Sequence, residues 1–155
     1  MIHPIQLREE VRRILMDIRE EIPYNPLAED LLLLTAAHES HLGTYLRQTQ
    51  GPALGIFQME PDTYEDLRIN YLSFRWNLWD ILSETCVNPR DPENLVTNLR
   101  TAVVAARLQY YRVPEAIPNT LEELADYAKK YWNTEAGAAT SADYLKAYKE
   151  AYNID

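Results

Sequence analysis

A run of four leucines at positions 31–34 is the feature that most constrains the fold of this chain. Successive residues of a helix point to different sides, so this segment is apolar all round, and such a helix is stable only when it is buried. Asn25 and Pro26 lie directly upstream and supply a favoured N-cap residue and a proline suited to the first helical position. The sequence therefore predicts a buried central helix that begins near residue 26.

The remaining segments predict helices around this central one. An apolar stripe with helical spacing runs from Val11 to Ile22, and Asp91 followed by Pro92 predicts the start of a long helix that stops before Pro114. Further helices are predicted around residues 61–69, over 72–82, and after the capping-box residues Thr120 and Thr140. Alternating strand patterns are nearly absent. The predicted fold class is mainly α, in a single domain over residues 1–155.

Charge and composition exclude several classes of function. The chain has 155 residues, with 15 basic and 24 acidic side chains and a net charge of −9, and its basic residues are scattered, so we expect no nucleic-acid partner. No apolar run approaches the ~18 residues that indicate a membrane span, so no membrane insertion is expected. The single cysteine, Cys86, predicts neither an internal disulfide nor a cysteine-based zinc site. The N-terminus lacks the apolar segment of a signal peptide, which predicts synthesis in the cytoplasm.

Glycine marks one region as different from the rest. Three of the four glycines, Gly43, Gly51 and Gly55, lie within thirteen positions that begin where the central helix is expected to end. Glycine permits positive φ angles and close backbone approach. The sequence therefore predicts a shaped loop or small hairpin beside a functional cleft.

Glu39 lies in the last turn of the predicted central helix, next to this loop. Partial burial, the negative end of the helix dipole and a lack of nearby cations (Arg47 is the first that follows) would all raise its pKa. A carboxyl group that stays protonated near neutral pH can act as a general acid towards a leaving-group oxygen. The alternative interpretation is a solvated carboxylate at a helix end.

The residues around Glu39 resemble a known family. The segment LLTAAHES at 33–40, followed by ALGIFQMEP at 53–61, looks like the paired motifs of lysozyme-like lytic transglycosylases, with Phe57 in place of the usual methionine. Tyr131-Trp132-Asn133 matches a third, aromatic-Asn element, and the stretch from Lys130 through Thr134 to Gly137 and Thr140 is similar to phage-encoded members. The resemblance covers roughly residues 27–150. It implies a lysozyme-like multi-helix fold, with the glycine-containing loop beside the active-site cleft.

The resemblance further implies a reaction and a site. In this family a single Glu, here Glu39, protonates the oxygen between N-acetylmuramic acid and N-acetylglucosamine and then helps to close a 1,6-anhydro ring. Neither a cofactor nor a metal site is expected, although His38 and His41 flank the acid. Ser40 could instead orient Glu39 or satisfy a backbone carbonyl, and one of Tyr131 and Trp132 is expected to be core. Polar and aromatic groups suited to sugars make the predicted substrate-binding set Ser40, Tyr45, Gln58, Met59, Tyr131, Trp132 and Asn133.

Three alternatives stay open at this point. Glu60 is a candidate second carboxylate, which would make the protein a muramidase that hydrolyses the same bond, but a helix-capping role for Glu60, and with it the lyase, is preferred. A catalytically inactive structural or glycan-binding module, or a helical adaptor for other proteins, would need no acid. The expected partners are peptidoglycan glycan strands. Because the negative charge disfavours approach to an anionic envelope, a phage-encoded protein associated with the virion and its other proteins, or otherwise delivered to the cell wall, is favoured.

Overall fold

The computed structural model describes residues 1–133 and 137–155, and this part of the chain is mainly helical. It contains two isolated antiparallel bridges, Arg47 with Leu54 and Leu54 with Met59, but no extended strand. Thr134, part of the stretch that is similar to phage proteins, lies outside the described residues. The α-helices are α1 (Pro4–Asp17), α2 (Pro26–Ser40), α3 (Pro61–Asp66), α4 (Trp76–Ser83), α5 (Asn94–Thr97), α6 (Leu99–Tyr111), α7 (Leu121–Ala128) and α8 (Ser141–Tyr152).

Helix α2 is the centre of the fold, as the leucine run predicts. Residues 31–34 are at most 1% exposed, and α1, α6, α7 and α8 pack around them. The helix begins where its sequence indicates, because the Asn25 side chain accepts a hydrogen bond of 2.9 Å from the backbone N–H of Leu27, and Pro26 follows at the first position. A helix surrounded in this way holds its last turn, which contains Glu39, in a fixed position.

Two predicted helices are shorter in the structure. Helix α1 ends at Asp17, and Ile18 and Ile22 are buried in the turns that follow. The long helix predicted from Pro92 is not continuous: it is divided into α5 and α6, because Asn98 has an extended backbone conformation. Its Oδ1 accepts a hydrogen bond from Thr101 N–H at 3.1 Å and its Nδ2 donates one to Thr85 O at 2.8 Å, so α6 starts anew at Leu99.

Irregular helical turns replace other predicted regular ones. The helix expected over 61–69 is α3 followed by a π-helical turn, Leu67–Tyr71, and a second π-helical turn, Lys129–Asn133, continues α7. The predicted capping box of α8 is complete, with Thr140 and Asp143 bonded reciprocally. At α7 the hydrogen bond from Glu123 N–H to Thr120 is present. Among the described residues, no helix is long and apolar enough to cross a membrane.

Candidate active site

A cleft of about 450 Å³ lies beside the C-terminal end of α2. It falls within the ~300–1,000 Å³ range typical of ligand pockets. The structure brings seven of the sequence-predicted site residues to its walls, namely Glu39, Gln58, Met59, Glu60, Tyr131, Trp132 and Asn133, and it adds Gln48, Ala53, Thr63 and Gln109. Segments that are far apart in the chain therefore meet around one carboxyl group.

Glu39 is half-buried in this cleft and has no cationic partner among the described residues. Arg47, the nearest cation that follows in sequence, donates instead to Glu93, at 2.6 and 3.1 Å. Burial raises the pKa of Glu39 above the ordinary carboxyl value, and a hydrogen bond from Tyr144 opposes part of this rise. The structure therefore gives Glu39 the environment that favours a protonated carboxyl group.

Tyr144 is the direct partner of Glu39. It is fully buried on α8, and its hydroxyl donates a hydrogen bond of 2.6 Å to Glu39 Oε1. Burial raises the pKa of Tyr144, so the hydroxyl keeps its proton and acts as a donor. The ring of His38 stacks on that of Tyr144 with 4.0 Å between centroids, and burial lowers the His38 pKa, which favours the neutral imidazole. Neutral groups thus surround this side of the carboxyl.

Asn133 lies in the same cleft wall, in the π-helical turn after α7. Its Oδ1 accepts a hydrogen bond of 2.9 Å from Lys129 Nζ, which also donates to Gly137 O at 2.7 Å. A hydrogen bond from the Asn133 side chain also acts on the Tyr144 hydroxyl, where it lowers the tyrosine pKa against the larger effect of burial. Asn133 therefore acts on Glu39 indirectly, through Tyr144.

The glycine-containing loop forms the opposite wall. Leu54 and Met59 exchange two backbone hydrogen bonds, of 2.9 and 3.0 Å, which close a tight turn. Gly55, inside this turn, has a φ of +79°, and a Cβ at this position would lie 2.1 Å from the carbonyl oxygen of Leu95. Glycine is therefore required here both by its backbone conformation and by the close approach of α5.

Gln58 occupies a strained position in this turn, with a φ of +49°. Its Nε2 donates a hydrogen bond of 2.8 Å to Gly55 O, which fixes a side chain that lines the cleft. Non-glycine residues with positive φ cost of order 1–3 kcal/mol and cluster at functional sites. Gln58 thus contributes a side chain of fixed orientation to the cleft.

Ser40 is the one predicted binding residue that a ligand cannot reach. It is fully buried, and its Oγ donates a hydrogen bond of 2.6 Å to Ile56 O and accepts one of 2.8 Å from Gly43 N–H. These bonds tie the loop to the end of α2. Its place among the substrate-binding residues is therefore corrected, and the backbone-satisfying role considered as the alternative is the one observed.

Tyr131 and Trp132 supply the aromatic wall. Both are half-buried and both pack against the core while lining the cleft, so the expectation that one of them is purely core is not met. The Tyr131 hydroxyl is hydrogen-bonded to Glu115, and Trp132 Nε1 donates to Phe57 O at 3.2 Å. The Phe57 ring, which replaces the family's methionine, meets Trp132 edge-on. Both rings are thereby held in place for stacking.

A second cavity of about 340 Å³ adjoins the first at Glu39. It shares Glu39, Gln48 and Gln58 with the first cavity and is otherwise lined by Tyr45, Arg47, Thr49 and Gln50. The predicted residue Tyr45 therefore lines this second cavity and not the one that Tyr131 and Trp132 line. Its ring is half exposed and meets His41 edge-on.

Sequence reasoning missed Gln48, Thr63, Gln109 and Tyr144. Gln109 lies on α6 and lines the cleft, and its buried Oε1 has no hydrogen-bond partner among the described residues. An unpaired buried amide oxygen can be recognised from the structure but not from the sequence. Tyr144 comes directly after the capping box of α8. The sequence gives no reason to distinguish it from the other tyrosines among the chain's 11.

Comparison of the chain with protein-family models, with curated proteins and with solved structures finds no match.

Proposed function

We propose that the protein is a lysozyme-like lytic transglycosylase that cleaves peptidoglycan between N-acetylmuramic acid and N-acetylglucosamine, with Glu39 as the general acid and base. The observation that carries the proposal is the setting of Glu39, a half-buried carboxyl group that lines a cleft of about 450 Å³. Its pKa is raised, it accepts a hydrogen bond from Tyr144, and none of the described residues is its cationic partner. The motifs that carry the sequence resemblance and the geometry of the cleft both centre on Glu39.

The chemistry follows from the protonation state of Glu39. Its carboxyl proton passes to the glycosidic oxygen as the bond from that oxygen to C1 of the muramic acid breaks. The carboxylate then takes the proton of the C6 hydroxyl, whose oxygen bonds to C1 and closes the 1,6-anhydro ring. Glu39 ends protonated, and no water is consumed. The N-acetyl group of the substrate can stabilise the positive charge at C1, so no second carboxylate is needed.

The walls of the cleft suit a sugar polymer. Tyr131 and Trp132 offer ring faces that their hydrogen bonds hold in place, and Gln58 offers an amide oxygen to hydroxyl or N–H groups. Neutral amide and hydroxyl side chains at Gln48 and Thr63 extend this polar lining. Such a surface recognises an uncharged, hydroxyl-rich ring better than a phosphate or a nucleotide.

A muramidase is the second candidate, and Glu60 is the observation that favours it. Glu60 is the N-cap residue of α3, but its side chain makes no capping hydrogen bond and lines the cleft instead. A carboxylate there could assist attack of water on C1, as in two-carboxylate glycosidases. In that case Glu60→Gln should greatly reduce the release of reducing ends.

Digestion of purified sacculi tests the proposal. The Glu39→Gln variant should fold normally and lose at least ~10²-fold in activity, the usual scale of general acid–base catalysis. Mass spectrometry of the fragments released by the unmodified protein separates the two candidates, because anhydro-muramic ends indicate the lyase and reducing ends the hydrolase. Full lytic activity in Glu39→Gln would refute the role of Glu39. Binding of sacculi by the unmodified protein without release of fragments would instead favour an inactive glycan-binding module.

A further inference from the structure

Two large aromatic side chains are exposed where the chain enters helix α4. Phe74 is 80% exposed and Trp76 is 75% exposed, whereas Leu72 and Leu78 on either side of them are buried. All five residues from 73 to 77 are exposed, and we call this segment the aromatic corner. Large apolar groups clustered on a surface mark sites that bind another molecule. The aromatic corner is therefore a candidate binding surface.

The backbone that carries the two rings is held in place by Arg75, which lies between them. Its Nη1 donates a hydrogen bond of 3.0 Å to Tyr71 O, and its guanidinium lies 4.1 Å from the centroid of the Tyr71 ring. The carbonyl oxygen of Arg75 accepts hydrogen bonds of 3.0 and 2.9 Å from the N–H groups of Leu78 and Trp79, which begin α4. A ligand at the corner therefore has little backbone to order when it binds.

The charges of the aromatic corner favour an uncharged ligand. Arg75 is its only charged residue, and the nearest acid along the chain is Asp80, so the two charges balance locally in a chain of net charge −9. An anionic lipid surface or a nucleic acid would need a cluster of cations. Ser73 and Asn77 at the two ends of the corner add neutral donors and acceptors, which suit hydroxyl and amide groups.

The size of the apolar surface fits sugar rings better than a protein partner. An aromatic side chain buries ~150–250 Å², so Phe74 and Trp76 together supply well under the ~800 Å² per partner of a standard protein interface. The net charge of −9 also disfavours a second copy of this chain as the partner. Because Phe74 and Trp76 are two residues apart, their Cα atoms lie within about 7 Å of each other. The two rings can therefore stack on sugars of one strand.

We propose that the aromatic corner is a second glycan-binding surface, which takes the sugar rings of a peptidoglycan strand on Phe74 and Trp76 and is separate from the cleft beside Glu39. None of its five residues lines either of the cavities that include Glu39. This inference rests on the proposed function for the identity of the polymer. Attachment at two points raises the effective concentration of the cleft on an insoluble wall, which offsets the repulsion between the protein's negative charge and an anionic envelope.

Cosedimentation of the Glu39→Gln variant with purified sacculi tests the binding. Adding Phe74→Ala and Trp76→Ala should weaken binding at least about fivefold, because two stacking contacts are lost, and should leave the Tm unchanged, because both side chains are exposed. The matched control adds Ile5→Ala and Val87→Ala, two exposed apolar side chains outside the corner and outside both cavities, and should bind as before. Undiminished binding of sacculi by the Phe74→Ala/Trp76→Ala protein would overturn the inference. So would an equal loss in the Ile5→Ala/Val87→Ala control.

Two further measurements separate this surface from its alternatives. With Glu39 intact, Phe74→Ala/Trp76→Ala should slow the digestion of sacculi but leave kcat/KM unchanged on short soluble fragments, which need only the cleft. Equal losses on both substrates would overturn a surface separate from the cleft. Loss of vesicle binding or of self-association, with sacculus binding intact, would assign the corner to a membrane or to a second copy and overturn the inference. If the unmodified protein cleaves neither substrate, the proposed function fails, and the cosedimentation result still decides whether the corner binds glycan.

Discussion

The hydroxyl of Tyr144 donates a hydrogen bond of 2.6 Å to Oε1 of Glu39, a residue 105 positions away in the chain. The bond joins the C-terminal end of α2 to α8, which pack closely against each other in the core. It sets the orientation of the carboxyl group and moderates the rise in pKa that burial causes. Tyr144, in the last described helix, thus orients the carboxyl group of Glu39, in the second helix, and lowers its pKa.

Replacement of Tyr144 by Phe should therefore change the pH dependence of activity as well as the rate. The hydrogen bond lowers the pKa of Glu39, so its loss should raise that pKa further and move the alkaline limb of the pH–rate profile to higher pH. The rate at the optimum should fall roughly tenfold, because the carboxyl group is less well oriented.

Activity against sacculi measured between pH 4 and 9 checks the Tyr144→Phe prediction. Tyr148→Phe, on the same helix but bonded to Arg8 and Asp30, is the matched control for loss of a buried tyrosine hydroxyl. An alkaline limb that stays in place in Tyr144→Phe would show that Tyr144 supports the fold without tuning Glu39.

Removal of the Glu39 carboxyl should stabilise the protein in a pH-dependent manner. Because its folded-state pKa is raised, the folded protein binds a proton that the unfolded chain has already released above pH ~4.3, so this group lowers stability as pH rises. Glu39→Gln should therefore have the same Tm as the unmodified protein near pH 4 and a higher one at pH 7.

Thermal unfolding of both proteins across this range checks the sign of the effect. Glu60→Gln, in the same cleft but with an exposed side chain, controls for the loss of one negative charge from a protein of net charge −9. A Tm difference that is constant with pH would contradict a raised pKa for Glu39.

The sequence predicted the parts of this site that are local. The leucine run, Asn25 and Pro26 define α2 without reference to the rest of the chain, and the position of Glu39 in its last turn follows from them. The crowding of glycines likewise indicated the loop. In both cases the determinants are near neighbours in the chain, whose effects on backbone conformation are known.

The parts that the sequence did not predict depend on contacts between distant segments. Asn98 divides a predicted long helix because its side chain donates a hydrogen bond to Thr85 O, thirteen residues away, and accepts one from the backbone N–H of Thr101. Ser40 turns away from the cleft because Ile56 O is a buried acceptor beside it. Nothing in the local sequence distinguishes these arrangements from their alternatives, since each depends on which groups packing brings together.

Gly55→Ala should disrupt the loop that faces Glu39. The added Cβ would lie 2.1 Å from the backbone oxygen of Leu95, and the φ of +79° disfavours any L side chain. We expect a loss of at least about 2 kcal/mol in the free energy of unfolding, together with a loss of activity.

Gly51→Ala is the matched control for the loop. The nearest atoms to its Cβ belong to the end of the Gln48 side chain, which can move aside. Urea titration of both variants measures the two free energies of unfolding. A Gly55→Ala variant as stable as Gly51→Ala would mean that α5 and the loop do not approach each other this closely in solution.

Gln109→Leu should raise stability and weaken ligand binding at the same time. The buried Gln109 Oε1 atom has no hydrogen-bond partner in the part of the chain that the structure describes. An unpaired buried polar atom costs roughly 1–3 kcal/mol, and a leucine of similar size removes that cost. A gain of about 1 kcal/mol corresponds to a rise of roughly 2–4 °C in Tm for a chain of this size. A turn of the side chain towards the cleft would let Oε1 accept an N–H from an acetamido group of the glycan, so the same change should weaken binding of an N-acetylglucosamine hexamer about fivefold.

Gln48→Leu is the matched control for these opposite effects on stability and ligand binding. Its amide oxygen already accepts a hydrogen bond of 3.2 Å from Ala53 N–H and its side chain is exposed, so leucine there removes a satisfied bond and should not raise Tm. Tm and hexamer affinity measured for both variants separate the two effects. A Gln109→Leu protein that gains stability and binds the hexamer as before would show that the orphaned oxygen is a packing defect and takes no part in recognising the glycan.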